Sequence, residues 1–186
     1  MSLTTKLFII VVLIFTLSST KAQQQDTHKN VYSTKMKTSE TLERNKETIR
    51  HLYEDLLNER QFDQLASVVS EEYVGIRGEK GVKGFSEAVT TIVAGFPDMK
   101  WTIEDLLADN DKVIVRWSWK GNNTQPFRGI PASNKPVTDN AIVIYQFNEG
   151  GKIVHAWMQG DRLGVLLQIG AIPANLIPSP PQSPKN

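Results

Sequence analysis

The period of the hydrophobic pattern changes once along this chain, at Pro97, and that change limits the folds open to it. Before Pro97 apolar residues recur at helical spacing: Leu42, Ile49, Leu52, Tyr53, Leu56 and Leu57; then Phe62, Leu65, Val68 and Val69; then Phe85, Val89, Ile92, Val93 and Phe96. Spacings of three and four place such side chains on one stripe of a helix. Ser39 is a plausible N-cap for the first helix, Asn58-Glu59-Arg60 breaks its pattern, and Pro97 stops the third. A short strand is expected at 73–76, and Gly75, Gly78, Gly81 and Gly84 mark a loop after it. After Pro97 the period is two. Trp101 and Ile103 share a face, with Asp105 a candidate third member. Val113, Val115, Trp117 and Trp119 alternate with Ile114, Arg116, Ser118 and Lys120. Residues 137–147 are apolar on both faces between Ala141 and Tyr145, which points to burial on both sides. Helices gathered first and strands gathered after them argue for an α+β fold, with helices packed on one face of a meander.

Composition adds bounds. The chain has 186 residues, enough for one domain, and 21 Lys and Arg against 20 Asp and Glu leave no basic excess for a nucleic-acid partner. It has no cysteine and three histidines, so disulfides and a thiol nucleophile are excluded and a zinc site is not expected. The N-terminus reads as a signal peptide over residues 1–22: Lys6 is the basic region, 7–17 the apolar core, and cleavage is expected after Ala22. The apolar run is short of the roughly 20 residues of a membrane-spanning helix, so no stable span is expected after cleavage, and the location is secreted or periplasmic. Residues 23–38 read as a flexible polar tether, 39–172 as the α+β domain, and 173–186, with five prolines, as an irregular tail.

Residues 150–171 carry the chemistry-bearing pattern. After a Gly150-Gly151 turn, Ile153, His155, Trp157, Gln159 and Asp161 share one strand parity. Asp161 either N-caps a short helix over 163–168 or faces a pocket. Gly151-Lys152-Ile153-Val154, Trp157, Asp161, Leu163, Gly164, Gln168, Gly170 and Ala171 resemble the C-terminal signature of the SnoaL-like polyketide (ester) cyclases. Phe96-Pro97-Asp98, Arg116, Gly121, Thr124, Phe127, Gly129-Ile130-Pro131 and Val137 match further positions of that family, and so does the helix–turn–helix entry over 51–74. Asn123 stands where many members carry a His, and an Asn does not shuttle protons.

The resemblance implies the nuclear transport factor 2-like cone: a curved antiparallel sheet wrapped around three N-terminal helices, with a pocket at the open end. It also implies a cofactor-independent, aldol-type cyclase or isomerase in which Asp161 is the general acid/base on a small carbonyl substrate. The substrate-binding candidates are Trp157, Gln159, His155, Asn123, Arg116, Tyr53 and Trp117. The alternative is a non-catalytic module that binds a small hydrophobic ligand in the same pocket. A carboxylate buried in the cavity favours the enzyme; an exposed one at a helix start favours the binding module. A homodimer through the open sheet face is expected.

Overall fold

A computed structural model describes residue 36 and residues 38–176; the expected signal segment and most of the tether and tail lie outside them. The chain divides into two compact units, 1–41 and 42–186. In the first, the described residues 36 and 38–41 are helical.

In the second, helix α1 occupies residues 42–50 and widens into a π-helical segment, His51–Leu57. Asn58 N–H donates to Tyr53 O at 3.1 Å and Gln61 N–H to Leu56 O at 2.8 Å, the i→i+5 spacing of a π-turn. The predicted stripe is the buried one: Ile49, Leu52, Tyr53, Leu56 and Leu57 are all in the core. The polar break after it is a clamp. Asn58 Oδ1 accepts from Trp101 N–H at 2.8 Å, and its Nδ2 donates to Trp101 O at 2.9 Å. Arg60 has φ 61°, and its guanidinium donates to Leu57 O, Pro97 O and Met99 O.

A 3-10 turn, Phe62–Ser67, leads to β1, Val69–Val74, followed by α2, Gly81–Gly95. Four longer strands follow: β2 Lys100–Asp109, β3 Lys112–Asn122, β4 Pro136–Phe147 and β5 Ile153–Gly160, closed by the short α3, Arg162–Gln168. The sheet order is β1-β5-β4-β3-β2. The expected antiparallel meander holds for β2 to β5, whereas β1 joins β5 in parallel, so the sheet is mixed at that edge. The first strand also begins earlier than expected, at Val69.

The inner sheet face carries Val113, Val115, Trp117 and Trp119 from β3 and Val137, Ala141, Val143, Tyr145 and Phe147 from β4, all buried. Two bulges reset the parity read from the sequence. On β2, Ile103 pairs with Trp117 but Asp105 with Arg116, so Glu104 is the extra residue and Asp105 leaves the face of Trp101. On β5, Ile153 pairs with Phe147 but His155 with Gln146, so Val154 is extra. One inserted residue moves every later side chain to the other face. Ala156 and Met158 therefore point inwards, and Trp157 is exposed. The two-sided burial expected of 137–147 is one-sided in the single chain, where Ile142 is 49 % exposed.

Candidate functional site

Between the α1 and α2 faces and the inner sheet face lies a cavity of about 780 Å³. Its walls are largely apolar: Leu57, Phe85, Val89, Trp101, Val143 and Met158 among others. Ligand cavities of this size, mostly apolar with a few placed polar groups, are the usual small-molecule sites.

The buried polar groups in its lining are phenols and an indole, and exposed charged side chains such as Arg77, Lys83, Arg128 and Arg162 complete it. Tyr53 from the π-segment and Tyr145 from β4 share a hydrogen bond of 2.8 Å between their hydroxyls. Tyr53 also packs edge-on against Trp101, with centroids 6.4 Å apart. Burial pushes both phenols far above the ordinary tyrosine range. Tyr73, also in the lining, is pushed up to about 12, first by burial and then by the charge of Glu79. All three are therefore protonated at neutral pH. In the Tyr53–Tyr145 pair one hydroxyl hydrogen is used internally and the other remains to be donated. Trp117 Nε1 is buried with no close hydrogen-bond partner among the described residues; the one group that claims it is the Tyr53 hydroxyl, towards which its N–H acts as a donor. A buried donor left unpaired is costly unless a ligand or water takes it up.

A family model described as SnoaL-like polyketide cyclase matches residues 47–169, which is most of the chain. The chain belongs to the SnoaL-like polyketide cyclase family. Among solved structures, TsrD from Streptomyces laurentii is 26% identical, with a TM-score of 0.61 over 71% of this chain and 96% of that one. A SnoaL-like polyketide cyclase from Agrobacterium tumefaciens is 24% identical, with a TM-score of 0.56 over 64% and 93%, and supports the fold. No curated protein matches the chain. The curved sheet over helices is thus the SnoaL-like, nuclear transport factor 2-like cone.

Within this SnoaL-like cone the residues singled out from the sequence separate into two groups. Tyr53 and Trp117 line the cavity. The others lie elsewhere. Arg116 is on the outer sheet face, ion-paired with Asp105. His155 and Trp157 stack edge-on with centroids 4.1 Å apart, and Gln159 is exposed opposite Ile142. Asn123 is fully buried, but its amide is spent on the protein: it donates to Gly95 O and Gln125 O and accepts from Ser133 N–H at 2.8 Å. Asp161 is exposed, and its Oδ1 accepts from Gly164 N–H at 2.8 Å as the N-cap of α3. The next residue, Arg162, lines the cavity.

Two residues not singled out from the sequence emerge. Tyr145 completes the phenol pair. Asp139 has the inward parity of Ala141, Val143 and Tyr145 on β4, is half-buried, and has its pKa raised, chiefly by burial. The signal for both was present: a Tyr and an Asp at core parity in an apolar strand. Among the described residues no three His, Asp or Glu side chains gather to hold a metal ion.

Proposed function

We propose that the protein binds a small, largely apolar carbonyl compound in the cavity and polarises its carbonyl oxygen with the Tyr53–Tyr145 pair and the Trp117 N–H. The supporting observation is the loosely held Trp117 N–H beside two protonated phenols on the buried, mainly apolar side of the chamber. Buried donors on one wall of a mainly apolar pocket suit an oxygen that carries or develops negative charge, as in an enolate. The exposure of Asp161 and its use as a helix cap favour ligand binding over turnover, by the criterion set on the sequence. Cyclase or isomerase chemistry with Asp161 as general base is the second reading, supported by family membership and by the position of Asp161 next to cavity-lining Arg162.

Trp101 and Trp117 make the cavity self-reporting. Titration with 9-fluorenone and with fluorene, followed by tryptophan fluorescence, tests the reading. Fluorenone should bind more tightly than its hydrocarbon, and Tyr145→Phe should reduce that preference. Equal affinities for the two in the wild type would end it. Export of the mature chain remains part of the proposal on the strength of Lys6, the apolar run and Ala22; an N-terminus at Gln23, read by mass spectrometry in the native host, is the expected result.

A further inference from the structure

The chain has seven arginines, and four of them place their guanidinium groups on protein acceptors. Arg44 reaches Glu149 O, Arg50 reaches Glu47, Arg60 reaches three backbone carbonyls, and Arg116 reaches Asp105. The other three, Arg77, Arg128 and Arg162, have no side-chain hydrogen bond or ion pair among the described residues, and all three line the cavity. They come from three separate segments: the loop after β1, the loop between β3 and β4, and the first residue of α3. Partial burial, and after it like charge, lowers the pKa of Arg128, which feels Arg77, and of Arg162, which feels Arg77 and Arg128 and is partly relieved by Asp139 and Glu79.

Bringing three guanidinium groups together costs energy that an anion between them offsets. Nearby carboxylates fill that role only in part: Asp139 and Glu79 act on Arg162 through space without pairing with it. Glu79 Oε2 accepts from the backbone N–H of Arg77 at 2.9 Å, and Asp139 Oδ1 accepts from Asn140 N–H at 2.8 Å. Neither forms an ion pair with the three arginines. Two of the three are also held in place locally. Arg128 sits at φ 51° with its guanidinium over the Phe127 ring at 5.3 Å, and Arg162 stands at the start of the helix that Asp161 caps. Planar guanidinium forks match carboxylate geometry and give charge-assisted hydrogen bonds.

We infer that Arg77, Arg128 and Arg162 form a receptor for a carboxylate on the ligand, so that the cavity takes apolar carbonyl compounds that are also acids. This rests on the reading of the cavity as a carbonyl-ligand site. It also gives Asp161 a positioning role, through the helix start that carries Arg162.

The test compares 9-fluorenone-4-carboxylic acid with its methyl ester, titrated by tryptophan fluorescence against the wild type, Arg128→Gln, Arg162→Gln and, as a control on the outer sheet face, Lys120→Gln. The acid should bind about tenfold more tightly than the ester at low salt. The advantage should shrink as ionic strength rises to about 0.5 M. Each cavity variant should lose most of the advantage while keeping the wild-type affinity for the ester and the wild-type melting temperature, and Lys120→Gln should behave as the wild type. Equal binding of acid and ester, or an advantage that survives both cavity variants, overturns the carboxylate receptor and leaves the carbonyl-ligand reading standing. Failure of both compounds to bind overturns the two together. An ester affinity that falls in parallel with that of the acid in the variants also counts against the receptor, because the arginines would then be shaping the cavity rather than reading charge.

Discussion

The hydroxyls of Tyr53 and Tyr145 meet at 2.8 Å across 92 residues of sequence, inside a cavity whose other walls are mainly hydrocarbon. The contact ties the π-segment of α1 to the middle of β4. It has a pH signature. Each phenol has its pKa raised in the folded state, so folding holds the proton more tightly than the unfolded chain does. Their contribution is whole below the unfolded tyrosine value of about 10 and is lost as pH climbs above it. Urea melts from pH 8 to 11 should show stability falling above pH 10, with a shallower fall in Tyr145→Phe. At pH 8 that substitution should cost about 1–3 kcal/mol, because the partner hydroxyl stays buried with its bond removed. A variant as stable as the wild type at pH 8, with an unchanged alkaline slope, would show that the pair contributes nothing.

Asp139 gives the complementary test on the acid side. Its carboxyl has a raised pKa, chiefly through burial, with the nearby charge of Asp161 adding to it. The protonated form is favoured in the fold, so the contribution of Asp139 is full below the unfolded value of about 3.9 and is lost as pH rises through the folded value. At neutral pH the charge costs stability, and Asp139→Asn should raise the melting temperature there. The gain should shrink as pH falls to and below the unfolded value, where Asp139 takes up its proton in both states. A gain that stays constant across this range would trace to packing instead.

What was legible in the sequence followed from what periodicity records. The α1 stripe, the strands β2 to β5 and the inward positions of Tyr53 and Trp117 were all readable, because burial writes a 3.6 or 2.0 period into the apolar residues. The bulges at Glu104 and Val154 were not, because a single inserted residue leaves the composition of a strand unchanged while reversing its faces. That is why Trp157 and Gln159 read as pocket residues and Ala156 and Met158 did not. The Asn58 and Arg60 clamps read only as a break in the helix: their acceptors at Pro97, Met99 and Trp101 lie about 40 residues away in sequence, beyond any local pattern. The arginine cluster escaped for the same reason, since its three members come from loops and a helix start.

The outer face of the sheet carries its own expectation. Leu107 pairs with Ile114, Ile114 with Ile144, and Ile144 with Trp157, so one apolar row crosses four strands. Three of its members are 39–64 % exposed in the single chain. A contiguous exposed apolar patch is a candidate interaction surface, and the homodimer proposed from the sequence would bury it symmetrically. Light scattering of residues 23–186 should give twice the monomer mass, and Trp157→Asp should give the monomer with its fold intact by circular dichroism. A wild-type monomer at micromolar concentration would remove the dimer.

Asp161 is where the two functional readings part. Its Oδ1 accepts from Gly164 N–H at 2.8 Å, and Asn at an N-cap does the same. Asp161→Asn should therefore melt with the wild type, while Asp161→Ala should lose about 1 kcal/mol and loosen the helix start that holds Arg162. For a binding protein, Asp161→Asn should bind fluorenone as the wild type does, and neither should turn over an enolisable ketone. For a cyclase or isomerase, binding should again be unchanged, but turnover measured as α-proton exchange into heavy water should fall by about 10²–10⁴ in Asp161→Asn, since the amide cannot accept the proton. Exchange catalysed equally by wild type and Asp161→Asn would move the base elsewhere. Asp139, the inward-facing carboxylate with the raised pKa, would then be the residue to substitute next, and loss of exchange in Asp139→Asn with ligand binding intact would identify it.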